Sequence, residues 1–290
     1  MALKLKDNSV HLGSTKTRHS RNFTYIKGTV EATHLETYGE YQQKEINLLV
    51  GLLDRIDAKQ KVVWDIGANI GVHTIAFSKH SSFVCSWEAN PQNFKLLRLN
   101  TQGKLAPNVK VHNVAISNGE KDKLLIQDFD NSITDNKGEL SIVESGGVEI
   151  EARTLDSYLM NYPLPSLVKI DVEGHELEVL QGARVMLQTV KPILYMETQS
   201  KDSYSKHIKF LQDNDYRMWW FACPNYNRDN LNKNHENVCG NTVICSMLAF
   251  HKDVDGLNNI ELQEVNSVDD HWSYFDWDYD TGLTRAKKND

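Results

Sequence analysis

The chain has 290 residues, of which 40% are hydrophobic, 9% aromatic and 24% charged, and its net charge is −7 at pH 7. This length suits one large domain or two small ones with a buried core, and the composition excludes wholesale disorder and a fibrous chain. The acidic balance excludes a general nucleic-acid binder, four cysteines are too few for a disulfide scaffold, and no stretch approaches the roughly 20 apolar residues that span a bilayer.

Residues 1–28 carry six Lys/Arg against one Asp and show no helical period. They lack the apolar stretch of a secretory signal and are expected to form a flexible basic segment or a short edge strand, in a reduced, cytoplasmic protein. Residues 41–56 place Ile46, Leu49, Val50, Leu52, Leu53 and Ile56 near a 3.6 period, which predicts a helix. Elements then alternate. A strand is expected at 61–66, a helix at 71–79 and a strand at 83–88. A helix opened by Asn90 as N-cap and Pro91 follows, with Phe94 and Leu97 inward, and then a strand at 109–115. Three short strands near 124–129, 140–143 and 148–152, separated by Asp, Asn and Gly, read as an antiparallel insertion or edge. Alternation resumes with a strand at 167–171, a helix at 175–189, a strand at 192–197 and a helix at 203–214. Strands at 217–222 and 242–250 close the series. Such alternation predicts an α/β fold whose mostly parallel sheet is covered by helices on both faces and binds ligand at the carboxyl ends of its strands.

The first of these strands ends in Asp65-Ile66-Gly67-Ala68-Asn69-Ile70-Gly71, a glycine turn that opens a helix. The spacing departs from the G-x-G-x-x-G dinucleotide fingerprint. Asp65 would repel a pyrophosphate, since a like-charge pair at about 4 Å costs about 4 kcal/mol at an effective dielectric of about 20. It would attract a cation such as the sulfonium and ammonium of S-adenosylmethionine. Glu88 ends the second strand, where an acid accepts both hydroxyls of an adenosine ribose, in an NAD site or an adenosylmethionine site alike. Its structural alternative is favourable placement near the next helix N-terminus. The candidate cofactor-binding residues here are Asp65, Gly67, Ala68, Asn69, Gly71, Glu88, Ala89 and Asn90.

VVWDIGANIGVHTIAFSK at 62–79, WEANPQNFKLLRLN at 87–100, VHNVAISN at 111–118, TLDSYL at 154–159, LVKIDVEGHELEVLQGA at 167–183 and ILYMET at 193–198 occur in series. In this series, and in YGEYQQKE at 38–45, the chain resembles the FkbM-type methyltransferases, class I enzymes that use S-adenosylmethionine, over roughly residues 38–250. The resemblance implies a Rossmann-like seven-stranded sheet with its last strand antiparallel, and methyl transfer to an oxygen, commonly a hydroxyl of a sugar or of a glycosylated or polyketide product. It implies that Asp65, Gly67, Asn69 and Gly71 contact the methionine part of the cofactor, that Glu88 holds the ribose, and that Ala115 and Ile116 lie beside the adenine. The expected organisation is a methyltransferase domain at 29–250, with an insertion near 119–150, between the basic segment and an acidic, aromatic tail at 251–290.

A second acidic cluster, Asp171-Val172-Glu173-Gly174-His175-Glu176, follows the fourth main strand, and Glu197 ends the next. A hydroxyl is a weak nucleophile, so a positioned base assists methyl transfer. Asp171, Glu173, His175 and Glu197 are the catalytic candidates, with Glu173 or His175 as the base, and Asp171 also near the cofactor. The macrodipole of the following helix accounts for Glu176 without any such role. Residues 223–241 contain seven Asn after Trp219-Trp220-Phe221, which suits a sugar-binding loop or lid as well as a turn-rich connection. Cys223, His235, Cys239 and Cys245 lack a C-x₂-C pair, and no metal site is expected there. The expected partner is a small-molecule or glycan acceptor with a free hydroxyl. The competing functions are an NAD-linked oxidoreductase, which Asp65 and the glycine spacing disfavour, and a non-catalytic nucleoside-binding module.

Overall fold

A computed structural model describes residues 11–56, 61–127, 141–198, 201–254, 260–270, 275–277 and 284–286. At the N-terminal end, β1 (Leu12–Thr15) and β2 (Phe23–Ile26) pair as an antiparallel hairpin. Where residues 1–28 were expected to be flexible or a short edge strand, the strands at 12–15 and 23–26 pair with each other, and 1–10 lie outside the described residues. Phe23, Tyr25 and Ile26 are buried in one cluster with Leu35, Ile70, Ile75 and Leu96. A four-residue strand is too short to display a period, so only tertiary packing reveals it. The helix α1 (Val30–Tyr38) was likewise not anticipated. Thr29 caps it by accepting from the Ala32 N–H at 3.1 Å, and Gly39 at φ 69° closes it in the left-handed region open to glycine.

Next come α2 (Gln43–Arg55), β3 (Val62–Ile66), α3 (Val72–His80), β4 (Phe83–Trp87) and α4 (Pro91–Thr101), close to the expected bounds, and β5 (Val109–His112), which stops short of the expected 109–115 because Ala115 pairs in a different sheet. In α4 the buried apolar pair is Leu96 and Leu97, while Phe94 is only half-buried. The helix is turned by Asn100, whose side chain accepts from Thr24 N–H and donates to the carbonyls of Thr24 and Ile70, each at 2.9 Å. A polar residue thus claims an inward position and ties the hairpin to the glycine turn.

The insertion is a separate small sheet. It contains β6 (Ala115–Ile116), β7 (Lys123–Ile126), β8 (Ile142–Val143) and β9 (Val148–Arg153) in the order β6-β9-β7-β8, with β6 parallel to β9 and the other pairs antiparallel. The expected strand ends at 128–129 and 140 lie outside the described residues.

After β10 (Leu167–Ile170), the helix expected over 175–189 is two pieces, α5 (Glu176–Gln181) and α6 (Arg184–Thr189). A Cβ at Gly182, between them, would run into the Ser117 carbonyl oxygen. The Asp156 carboxylate accepts from the N–H groups of Val185 and Met186, starting the second piece. The break comes from residues remote in sequence, so no helical pattern carries it.

Then follow β11 (Ile193–Glu197), α7 (Lys201–Asp213), β12 (Tyr216–Pro224), β13 (Val243–His251) and β14 (Gln263–Val265). The main sheet has the order β14-β12-β13-β11-β10-β3-β4-β5. Seven of these strands are the expected ones, mostly parallel, with β13 antiparallel to both neighbours. The eighth, β14, is supplied by the region expected to be a tail and pairs antiparallel with β12. Of the aromatic run at 271–280, only 275–277 is described, as β15 (Phe275–Trp277) paired with β16 (Thr284–Ala286).

Side chains alternate along the buried strands. Trp64, Ile66, Trp87, Ile170, Met196 and Trp220 pack on one face with Val179, Leu180, Met186, Leu187, Tyr204 and Ile208 from α5, α6 and α7. Val63, Val84, Leu167, Tyr195, Trp219 and Phe221 pack on the other with Leu49, Leu53 and Phe77 from α2 and α3. Helices on both faces confirm the Rossmann-like α/β class. Among the described residues no helix is long and apolar enough to cross a membrane.

If the N-terminal hairpin belongs to this core, Phe23→Ala should lower stability by about 3–5 kcal/mol, the usual cost of emptying a buried aromatic site. Urea unfolding checks it; a loss below about 0.5 kcal/mol would show that the hairpin is dispensable.

Candidate active site

The main cleft opens at the carboxyl ends of β3, β4, β10 and β11 and encloses about 1060 Å³ of space, its open mouth included. β3 connects through α3 to β4 on one side, while β10 returns to its other side, so the cleft lies at the switch point of the sheet. The glycine turn forms its floor. Gly67 and Ala68 donate their N–H groups to the Trp87 carbonyl at 2.9 and 3.0 Å, and Asp171 donates its own to the Ile66 carbonyl at 3.0 Å. Gly67 has φ 77°, and a Cβ there would collide with the Asp171 carbonyl oxygen. The turn is glycine because two strand ends converge on it.

Glu88 is buried. Its Oε2 accepts from Asn69 N–H at 2.8 Å and its Oε1 from Asn90 N–H at 2.7 Å. Burial pushes its pKa up to about 7 against the help of these two N–H donors, and the nearby Asp171 and Asp65 charges add to the rise. Each oxygen keeps a second lone pair for a ligand hydroxyl. Asp65, Gly67, Ala68, Asn69, Glu88, Ala89, Ala115 and Ile116 all line the cleft. Gly71 and Asn90 do not. Gly71, at φ 97°, lies where a Cβ would meet Leu97, and Asn90 caps α4 by accepting from Gln92 and Asn93 N–H at 2.8 and 3.1 Å.

Asp171, Glu173 and Glu197 also line the cleft, and a carboxylate oxygen from each lies within 4.8 Å of the others. Buried Lys169 contacts Asp171 Oδ2 at 2.8 Å. Burial works against its charge, but Asp171, Asp65 and Glu45 outweigh that and raise its pKa. Burial would raise Asp171 too, yet Lys169, and a hydrogen bond from Glu197, hold it below the usual carboxylate range. Glu197 is pushed well up by burial and by the Asp171 charge, so it is the protonated partner that donates to Asp171. Asp65 accepts from Thr74 Oγ1 at 2.6 Å, while its Oδ1 has no hydrogen-bond partner among the described residues. Glu176 instead accepts from the N–H groups of Val172 and Gly174, fixing the loop before α5.

His175 reaches the cleft from a different side. Its Nε2 lies 2.9 Å from Ser117 Oγ, one residue beyond Ile116, and its Nδ1 is 3.5 Å from Glu178. Burial lowers its pKa, so the ring is neutral at pH 7. The cleft also contains residues to which the sequence assigns no role, namely Glu31, Tyr41, Gln42, His73 and Lys169, with Ile126 and Ile142 from the insertion. Lys169 was open to discovery as an ionisable residue inside an apolar strand; the two isoleucines carried no such signal.

The Asn-rich loop at 225–241 does not line the cleft among the described residues. It grips α1 and the turn after it. Asn227 Nδ2 and Leu231 N–H donate to Glu40 at 2.6 and 3.1 Å, Asn232 N–H donates to the Tyr38 carbonyl at 3.1 Å, and Arg18 also pairs with Glu40. Its amides serve the protein's own groups, the Glu40 carboxylate and backbone carbonyls of α1 among them. Trp219 and Trp220 are core residues, as are Cys223 and Cys245, and Cys239 lies 3.3 Å from His34.

A family model described as the methyltransferase FkbM domain matches residues 65–218. The hexuronic acid methyltransferase AglP of Haloferax volcanii is 31% identical over 158 residues, 53% of this chain and 61% of that protein. The chain therefore spans less than two thirds of that relative. A crystal structure of the methyltransferase FkbM from Methylobacillus flagellatus has a TM-score of 0.45 at 22% identity, over 75% of this chain and 51% of that one. That of precorrin-6y C5,15-methyltransferase from Geobacter metallireducens has a TM-score of 0.43 at 16% identity, over 74% and 95%.

The raised pKa of Glu88 makes stability depend on pH. An acid whose folded pKa lies above its unfolded value favours the fold fully below about 4.5, and that advantage is lost as pH rises through about 7. A shift from 4.5 to about 7 corresponds to about 3 kcal/mol. Glu88→Gln should flatten the fall in stability between pH 5 and pH 8, as measured by urea unfolding across that range. An unchanged slope would assign the effect to other groups.

Proposed function

Since the chain belongs to the FkbM methyltransferase family, we propose that this enzyme moves the methyl group of S-adenosylmethionine to a hydroxyl of a sugar or glycan. The observation that carries the reading is the acid-lined cleft at the switch point, where Glu88 and the glycine turn meet the Asp171–Glu197 pair. The residues fit the cofactor. Asp65 keeps a buried carboxylate oxygen with no hydrogen-bond partner among the described residues, the glycine turn lets backbone approach closely, and Lys169 is the one Lys or Arg among the described lining residues. Glu88 would take the ribose hydroxyls, Ala115 and Ile116 would flank the adenine, and Asp65, Gly67, Ala68 and Asn69 would face the methionine part. The bound cofactor supplies a methyl group activated by a sulfonium.

The chain's own residues then choose the acceptor atom. Asp171 is ionised, and a carboxylate brought within about 4 Å of it would be opposed by about 4 kcal/mol at an effective dielectric of about 20. A hydroxyl meets no such penalty and finds carboxylate acceptors for its proton. A hexuronic acid, the substrate class in the name of the Haloferax relative, carries both groups, and this cluster favours its hydroxyls. Asp171 is held by Lys169, and Glu197 already carries a proton, so Asp171 positions the hydroxyl and Glu173 accepts its proton. His175, held against Ser117, orders the adenine end. Proton removal as the methyl moves raises the nucleophilicity of the oxygen.

Labelled-methyl transfer to neutral sugars and to hexuronates tests the reading. Ether products are expected, and methyl esters alone would overturn the choice of a hydroxyl. Glu173→Gln should lower kcat at least about 100-fold with affinity for S-adenosylhomocysteine unchanged. Glu197→Gln, which keeps a donor toward Asp171, should stay within about threefold of wild type, whereas Glu197→Ala should not.

A further inference from the structure

We infer that Glu31, in the first turn of α1, receives the ammonium group of the cofactor's amino-acid tail; the inference rests on the cofactor reading above. Glu31 is 4% exposed and lines the cleft. Its Oε1 accepts from Asn69 Nδ2 at 2.8 Å, and its Oε2 is buried with no hydrogen-bond partner among the described residues. An acid in a first helical turn is favoured by the macrodipole even at a surface. That explains an acidic residue, but neither its burial nor its unpaired oxygen. A buried carboxylate oxygen left unpaired is costly, and a cationic donor in the cleft removes the cost.

Position selects which cation. Asn69, at φ 49°, touches both acids. Its N–H goes to Glu88 and its side-chain amide to Glu31. The two carboxylates therefore flank one residue of the glycine turn. A nucleoside seated on Glu88 with its base toward Ala115 and Ile116 sends its tail the other way, across Asn69 and on to Glu31. The carboxylate is also pre-positioned. The far end of α1 is held where Tyr38 OH accepts from Val238 N–H at 2.8 Å and its carbonyl from Asn232 N–H at 3.1 Å. Anchoring the helix lowers the ordering cost of binding.

Calorimetry on the full chain with two ligands separates this role from others. S-adenosylhomocysteine carries the ammonium; 5′-methylthioadenosine lacks the whole amino-acid tail. Glu31→Gln should weaken S-adenosylhomocysteine at least tenfold and leave 5′-methylthioadenosine within twofold of wild type. Glu31→Asp keeps the charge one methylene short and should lose less; it serves as the second variant if thermal melting shows that Glu31→Gln does not fold. Unchanged S-adenosylhomocysteine affinity, equal weakening of both ligands, or a raised acceptor KM with cofactor affinity intact would each overturn the assignment. Wild-type protein that binds neither nucleoside would overturn the cofactor reading itself, and this inference with it.

Discussion

A buried ammonium, that of Lys169, lies within reach of Asp171, Asp65 and Glu45, and the crowding of acids at the strand ends depends on it. Without that cation, carboxylates at the ends of three neighbouring strands would be desolvated and mutually repelling, and the fold would bring them together only by protonating them. With it, Asp171 stays ionised while Glu197 takes the proton that the pair shares. One lysine on β10 thereby divides chemically similar carboxyl groups into a charged one and a neutral one, which is the division of labour a transfer site requires.

The packing around this charge network is as constrained as the charges. Gly67 admits Asp171 because it has no side chain, and Asn100 joins the N-terminal hairpin to the glycine turn through the Ile70 carbonyl. His73 of α3 pairs with Glu45 of α2 at 3.1 Å, with both buried. Elements outside the familiar core therefore hold the cleft. The hairpin, α1 and the loop at 225–241 form a brace behind the glycine turn.

What the amino-acid order discloses follows from how local each cause is. The strand–helix alternation, the glycine turn and the two acids ending β3 and β4 are encoded within a few residues and were read directly. Long-range causes were not. The break at Gly182 depends on Ser117 and Asp156, the inward turn of α4 depends on Thr24, and the burial of Phe23 depends on three other elements. Within the site, Asp65, Glu88 and Asp171 announced themselves by standing at strand ends. Glu31 did not, because it precedes every motif; Lys169 stood out only as an ionisable residue inside an apolar strand, with no local sign of the acids it meets. His175 was legible as a cleft residue but not as the partner of Ser117, since fifty-eight residues separate them. The asparagines at 225–241 suggested sugar contacts, and the partners of their side chains include the Glu40 carboxylate and backbone groups of α1 and of their own loop.

β14 closes one side of the main sheet by pairing with Met218, Trp219 and Trp220. These three residues are buried, and the strand they belong to is nine residues long and rich in aromatic side chains. Stripped of that cover, its outer row of amide and carbonyl groups would be a flat template for another chain. With β14 in place the sheet ends instead on a strand of three residues, which leaves another chain a much shorter row to pair with than the nine residues of β12 would.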